Sequence, residues 1–208
     1  TDVLSSIGNT ALVELRRIVP AGSARVLVKA ESGNPTGSMK DRMARAVVDR
    51  ALASGRLAPG GRLVEYTCGS TGTSLAFVCA ARGIAISVVT SDAFSIEKRN
   101  HMRALGADVI ELPSDGGKIN RELIQAMMAR AAELSAAPGN CFADQFHNAD
   151  AITGYMPLAD EIWAQTEGQV DAFVQAVGTA NCITGVAQGL RAHRAGVQII
   201  AVEPAESP

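Results

Sequence analysis

Short apolar segments alternate with longer segments of helical periodicity along this chain of 208 residues. Most of the apolar segments lack strict alternation of apolar and polar residues, which is typical of strands buried on both faces. The pattern therefore predicts an α/β fold in which parallel strands are joined by crossover helices. The predicted strands cover residues 26–30, 63–66, 84–90, 109–112, 172–177 and 199–203.

Apolar residues that recur every three or four positions predict helices between these strands. Glycine follows two of the helices, at Gly106 and Gly196, as is common at helix C-termini. Helices with one apolar face would cover the predicted sheet. The helices with the clearest periodicity or stop signals cover residues 44–52, 95–105, 123–134 and 183–194.

The composition excludes several classes of function. The formal net charge of −2 leaves no broad basic surface for nucleic acid or anionic lipid, so we expect neither partner. No apolar run approaches the roughly 20 residues that a membrane helix needs, and the first residues do not show the charged-then-apolar pattern of a leader. Four cysteines without a CxxC pair, and three histidines, predict neither a metal site nor disulfides. The expected setting is the reducing cytoplasm.

Candidate chemistry begins with a lysine in the segment GNPTGSMKDR, residues 33–42. Ser38 and Asp41 fit a capping box, which would place Lys40 in the first turn of a helix. The positive end of the helix dipole would lower the pKa of Lys40, and each unit of lowering raises the free amine about tenfold. This indicates carbonyl chemistry at Lys40, with a solvated lysine as the alternative. The spacing does not match a Walker phosphate motif.

Two more glycine-containing loops follow a strand and precede a helix, which is where open α/β sheets hold ligands. The loop TCGSTG, residues 67–72, could bind a carboxylate through its hydroxyls and amides, or could be an ordinary helix entry. The loop VGTANCITG, residues 177–185, could bind a phosphate, or could be a plain turn. Together the three loops supply what pyridoxal phosphate and an amino acid require.

Six motifs spread along the chain resemble those of the cysteine synthase and cystathionine β-synthase family, which are pyridoxal-phosphate enzymes of the tryptophan-synthase-β fold type. They occur in the order found in that family. The motifs are IGNTALVEL (7–15), GNPTGSMKDR (33–42), TCGSTG (67–72), ADQF (143–146), DAFVQAVGTANCITG (171–185) and AVEPAES (201–207).

The resemblance implies a role for each matching position. Lys40 would be the catalytic residue, which binds the cofactor pyridoxal 5'-phosphate covalently and later shuttles the Cα proton. The positions expected to bind the substrate carboxylate are Thr67, Cys68, Ser70, Thr71 and Gln145. Those expected to bind the cofactor, besides Lys40, are Ser70, Gly178, Thr179, Ala180, Asn181 and Cys182.

The chain departs from the family pattern in two loops. The family commonly has SGNTG where this chain has CGSTG, so Ser70 replaces an asparagine with a longer reach. The family commonly has GTGGT where this chain has GTANC. Side chains at Ala180 and Asn181 narrow the backbone angles available there, although the amide donors remain.

The resemblance implies two three-layer α/β domains with the cofactor between them. The smaller would cover residues 37–147, and the larger would combine 1–36 with 148–208. The larger is expected to be incomplete, because family members continue through a long C-terminal segment. We therefore hypothesise a fragment, which a compact chain uniformly resistant to limited proteolysis would contradict.

The implied reaction is a β-replacement, in which sulfide displaces the leaving group of an O-activated L-serine to give L-cysteine. The enzyme would be a transferase or lyase and a homodimer. Cystathionine β-synthase, or another β-eliminating or dehydrating relative, is the alternative within the same family. A catalytically silent binding protein that holds the cofactor is the alternative outside the enzyme class.

Overall fold

The chain folds as an α/β protein, and the computed structural model describes its residues 2–205. The end of the AVEPAES motif, residues 206 and 207, lies outside this range. Two short 3-10 helices, Val3–Ser6 and Glu31–Gly33, accompany the regular elements. These are β1 (Leu12–Glu14), β2 (Leu27–Lys29), α1 (Lys40–Ala53), β3 (Arg62–Tyr66), α2 (Ser70–Arg82), β4 (Ala85–Ser91), α3 (Ile96–Ala104), β5 (Asp108–Leu112), α4 (Arg121–Ser135), β6 (Cys141–Phe142), α5 (Ala149–Thr153), α6 (Met156–Gln165), β7 (Ala172–Ala176), α7 (Asn181–His193) and β8 (Gln198–Val202).

The six predicted strands and four predicted helices are all present, close to their predicted bounds. The expectation of parallel pairing is wrong for β2, which pairs antiparallel with β1. A direct antiparallel neighbour needs no crossover helix, and none lies between these two strands. The periodicity did not predict the very short strands β1 and β6 or the helices α5 and α6.

Four parallel strands form the main sheet, in the order β5-β4-β3-β6. Helices α2 and α3 pack on one face and α4 on the other, which gives three layers. Apolar side chains from both strand faces are buried, because Leu63 and Val88 face one layer while Val64 and Val89 face the other. A second parallel pair, β7 with β8, stands apart from this sheet.

The main apolar core extends from one face of the four-stranded sheet into the space between the helices. It includes residues of α1, α2, α5, α6 and α7. Helix α7 approaches its neighbours closely because glycine replaces a side chain at two contacts. A Cβ at Gly185 would lie 2.3 Å from the carbonyl oxygen of Ile152, and one at Gly189 would lie 2.4 Å from the Cβ of Ala159.

A cluster of charged residues around the buried Arg42 connects the N-terminal segment to α1 and α6. We call it the Arg42 cluster, and its members are Lys29, Glu31, Arg42 and Glu161. The Arg42 side chain is 4% exposed and donates to both carboxylates. Its Nε lies 2.7 Å from Glu31 Oε2, and its Nη1 lies 2.7 Å from Glu161 Oε1. Lys29 Nζ lies 2.7 Å from Glu161 Oε2. The central residue of the cluster, Arg42, lies two positions after Lys40 in the sequence.

Within residues 2–205, no helix combines the length and apolar character needed to cross a membrane. The same residues contain no group of three or more His, Cys, Asp or Glu side chains that could hold a metal ion. All four cysteines are free thiols, of which Cys68 is exposed. The division of the chain into two domains stays a prediction.

Candidate active site

The loop before α1 places Lys40 at the first position of the helix, as the sequence predicts. The predicted capping box is wrong. The hydroxyl of Ser38 accepts a hydrogen bond from the backbone N–H of Lys40, at 3.1 Å. Asp41 does not reach back to Ser38, because its carboxylate accepts from the backbone N–H and the hydroxyl of Thr36, at 2.8 and 2.6 Å. Asp41 therefore fixes the loop that precedes the helix.

Lys40 lines a narrow crevice together with the loop that precedes α7. Burial lowers the pKa of Lys40 below its ordinary value, and a Cys182 thiolate would act in the opposite direction. Burial also raises the pKa of the Cys182 thiol to about 11, so this thiol is uncharged near neutral pH. The direction of the lysine shift matches the prediction, and burial is its main cause. The amine is thus more available as a nucleophile than that of an ordinary lysine.

The loop before α7 forms the other wall of the crevice, with Gly178, Thr179, Ala180 and Cys182 among its lining residues. Within the described residues, the backbone N–H groups of 179–183 donate to no other group. Thr184 is the first to donate, to the carbonyl of Ala180 at 3.0 Å. Free N–H groups at the N-terminus of a helix, together with the helix dipole, suit an anion such as a phosphate.

Ala180 holds this loop in a strained backbone conformation. Its φ of 60° and ψ of −9° lie in the left-handed region, which the Cβ of an L-residue disfavours by about 1–2 kcal/mol. The sequence predicted narrowed backbone angles at this position. The structure adds that the chain adopts the left-handed conformation with alanine in place of glycine.

Replacing Ala180 with glycine is expected to raise the free energy of unfolding by about 0.5–1 kcal/mol. The variant loses the left-handed strain, and part of that gain is offset by the greater freedom of glycine in the unfolded chain. Denaturant unfolding measures the change. The matched control is Ala187→Gly inside α7, where the same replacement should cost about 1 kcal/mol. A loss of stability in both variants would contradict strain at Ala180.

The loop that precedes α2 presents a mixture of buried and accessible groups. Thr67 is buried, and its hydroxyl accepts from the backbone N–H of Gly69 at 3.1 Å. Cys68 is exposed, and Ser70 is half-buried at the first position of α2. Thr71 is buried and donates from its hydroxyl to Gln145 Oε1 at 2.6 Å. The structure thus brings Thr71 and Gln145 into direct contact.

Gln145 connects the loop before α2 to β3 and to α7. Its backbone N–H donates to Glu65 Oε2 at 3.1 Å, and its side-chain Nε2 donates to the carbonyl of Tyr66 at 3.2 Å. Its own carbonyl accepts from Asn181 Nδ2. The N-termini of α2 and α7 are therefore joined through one residue.

Sequence reasoning missed three side chains at this site. Met39 and Gln175 line the crevice with Lys40, and the buried Gln175 Oε1 has no hydrogen-bond partner in the described part of the chain. Glu65 is fully buried behind Gln145, and burial raises its pKa to about 8. Gln175 and Glu65 could have been found from the sequence, because each is a polar residue within an apolar strand segment.

The groups around the crevice fit pyridoxal phosphate by their chemistry. The Lys40 amine suits an aldehyde, because burial lowers its pKa. The free N–H groups of residues 179–183 suit the phosphate ester. Gly178 leaves open space, since a Cβ there would meet nothing within 4 Å.

Comparison with known proteins gives one family match and several close relatives. The family model described as "Pyridoxal-phosphate dependent enzyme" matches residues 3–208. The chain is 36% identical to a cysteine synthase of Staphylococcus aureus over 209 residues, which cover all of this chain. Among solved structures, a cysteine synthase from Entamoeba histolytica is 36% identical with a TM-score of 0.86 over 98% of this chain. An O-ureido-L-serine synthase is 38% identical, with a TM-score of 0.86 over 98% of this chain.

The chain spans only part of each relative. It covers 66% of the Staphylococcus protein, 60% of the Entamoeba chain and 63% of the O-ureido-L-serine synthase chain. The similarity confirms the α/β fold of the tryptophan-synthase-β type that the sequence motifs predicted.

Proposed function

The chain belongs to the pyridoxal-phosphate dependent enzyme family, and we propose on this premise that it acts as a cysteine synthase. The proposed reaction is a β-replacement on an O-activated L-serine such as O-acetylserine. Sulfide replaces the group on the β-carbon, and the product is L-cysteine. Relatives named cysteine synthase, at 36% identity, support this choice.

One observation carries the proposal. Lys40 shares its crevice with the free backbone N–H groups of the loop before α7. A lysine with a lowered pKa and an anion site on the opposite wall are the two groups that hold a phosphorylated aldehyde.

The proposed roles follow from the position of each group. Lys40 Nζ would bind the cofactor and, once the amino group of the substrate has displaced it, would take the proton from Cα, since the released, uncharged amine can act as a base. Bound pyridoxal phosphate supplies a ring that stabilises negative charge at Cα. The loop residues Gly178, Thr179, Ala180, Asn181 and Cys182 would hold the phosphate.

The substrate carboxylate is assigned to the loop before α2. Its N–H groups lie at the start of a 13-residue helix, where the dipole favours an anion. Thr67, Cys68, Ser70 and Thr71 would surround the carboxylate, with Gln145 beside Thr71. Ser70 would also contact the cofactor.

A second candidate is the synthesis of an O-substituted serine at the same site. The relative named O-ureido-L-serine synthase resembles this chain as closely as the cysteine synthases do, at 38% against 36% identity. The two candidates share Lys40 and both loops and differ in the nucleophile that adds to the β-carbon.

A product assay separates the candidates. Purified protein with pyridoxal phosphate would be given O-acetylserine, O-phosphoserine or serine, each with sulfide, homocysteine or hydroxyurea. L-cysteine from sulfide is the expected product. Cystathionine from homocysteine, or an O-ureido product from hydroxyurea, would identify a different synthase. A protein that shows the visible band of bound cofactor but forms no product would contradict the proposal and favour a silent binding module.

Three further assignments are proposals that rest on the family resemblance. They are a homodimer, a cytoplasmic location, and the division into a smaller domain of residues 37–147 and a larger domain of residues 1–36 and 148–208. Light scattering on the purified protein would test the first.

A further inference from the structure

Hydrogen bonds hold Gln145 in place at both its backbone and its side-chain polar groups. It is 5% exposed, and its backbone N–H, backbone carbonyl, side-chain oxygen and side-chain nitrogen each have a partner. Two of these partners, Glu65 and Tyr66, belong to β3, and Thr71 belongs to α2. With both ends of its amide engaged, Gln145 has one favoured orientation.

Asn181 supplies the bond to Gln145 from the other side of the site. Its side chain is buried, with 4% exposure for the residue, and Nδ2 donates to the carbonyl of Gln145 and to Thr179 Oγ1, the latter at 3.2 Å. The side chain therefore links its own loop, at Thr179, to Gln145. A glycine, which is common at this position in the family, could not make either bond.

We propose that Asn181 is a positioning residue that holds the amino-acid-binding loop against the phosphate-binding loop through Gln145. The chain of contacts runs from Asn181 Nδ2 to the carbonyl of Gln145, and from Gln145 Oε1 to the hydroxyl of Thr71. Asn181 thus sets the distance between the two halves of the site without touching the substrate. This inference rests on the proposed function for its effect on substrate binding, but the coupling of the two loops is a property of the chain alone.

Amide hydrogen exchange tests the coupling without cofactor or substrate. Asn181→Ala should speed exchange at least about fivefold in peptides that cover residues 143–147 and 67–73, because a lost hydrogen bond is worth about 1 kcal/mol. Asn181→Asp should do the same, since a carboxylate of equal size cannot donate to the carbonyl of Gln145. Faster exchange confined to residues 178–186 would overturn the proposal.

Asn140→Ala is the matched control. Asn140 Nδ2 also donates to a backbone carbonyl, that of Leu134 at 2.8 Å, but it lies before β6 and away from the crevice. The Asn140→Ala variant should lower the free energy of unfolding by about as much as Asn181→Ala and leave exchange in residues 67–73 unchanged. Equal acceleration of this peptide in both variants would mean a general loss of stability and would also overturn the proposal.

Steady-state kinetics test the consequence for the substrate. Asn181→Ala should raise KM for the amino-acid substrate about fivefold to tenfold while kcat changes less than about twofold, because uniform binding is lost. A fall in kcat with an unchanged KM would contradict a positioning role. If no product forms at all, the proposed function fails, whereas the exchange result still decides the coupling of the loops.

A double-variant cycle with Thr71→Ala provides the last test. Asn181 acts on Thr71 through Gln145, and the proposed function places Thr71 at the carboxylate, so the effects of the two variants on amino-acid affinity should not multiply. If each single variant weakens binding about tenfold, the double variant should weaken it far less than the roughly hundredfold expected of independent sites. A full hundredfold loss would show that the two residues act separately.

Discussion

Lys40→Ala is expected to remove the visible absorption of bound pyridoxal phosphate and to lower kcat/KM by at least about 10³-fold. Alanine has no amine to bind the aldehyde and no base to take the Cα proton, so both proposed roles are lost together. Lys40 is only half-buried, and the variant should fold. Absorption spectra and the cysteine assay measure the two effects.

The other lysines of the chain make the test specific. Borohydride reduction of the cofactor-loaded protein, followed by peptide mapping, should place the label on Lys40. Lys29, Lys98 and Lys118 are the remaining lysines of the sequence. Lys118→Ala is the control, because the Lys118 side chain is 75% exposed and pairs at the surface with Asp115, with Nζ 3.6 Å from Oδ2. A label on another lysine, or full activity in Lys40→Ala, would contradict the assignment.

Arg42→Met is expected to lower the free energy of unfolding by about 3–5 kcal/mol, because it removes a buried guanidinium and leaves two partly buried carboxylates without their shared partner. The Arg42 cluster is well shielded, since the Glu31 and Glu161 side chains are 15% and 14% exposed. Denaturant unfolding measures the loss. The control is Arg45→Met in the same helix, where the side chain is 45% exposed and the pair with Asp49 spans 3.7 Å. A loss below about 1 kcal/mol in Arg42→Met would show that the cluster contributes little.

The same cluster predicts a pH dependence. Burial alone would raise the pKa of Glu161, but hydrogen bonds from Arg42 and Lys29 outweigh it and lower the pKa to about 2, from 4.5. A carboxyl group whose pKa is lowered by folding stabilises the fold at every pH above its pKa in the unfolded chain, which is 4.5 here. That stabilisation is lost as the pH falls from 4.5 through about 2. Stability should decline over this range in the parent protein and decline less in Arg42→Met.

Much of the fold could be predicted because a long segment has enough residues to show an apolar or periodic pattern by itself. The strand β4 and the helix α4 have enough residues for such a pattern. Strands of two or three residues, such as β6 and β1, are too short to show one. The capping box failed for another reason, since the partner of Asp41 is Thr36, and that choice depends on how the whole loop folds.

The candidate site also has a part that the sequence predicts and a part that only the structure shows. Lys40 and the loop before α7 lie in motifs that can be read one at a time, and the structure places them in one crevice. The contact between Asn181 and Gln145 joins residues 36 positions apart, and neither motif indicates it. Glu65 gave a local signal, a charge in an apolar strand, but its partner Gln145 lies 80 positions away. Local patterns identify the chemical groups, and only the fold shows which of them meet.

The Arg42 cluster also bears on how the chain is made. Its Arg42–Glu161 bonds join residues 119 positions apart, and Glu161 also accepts from the backbone N–H of Asn9, 152 positions earlier. A nascent chain on the ribosome cannot form these contacts until α6 has been synthesised. Until then Arg42 can pair with Glu31, which lies 11 positions away, but lacks its second carboxylate partner. Closure of this long loop therefore follows the synthesis of all four strands of the main sheet, which precede α6 in the chain.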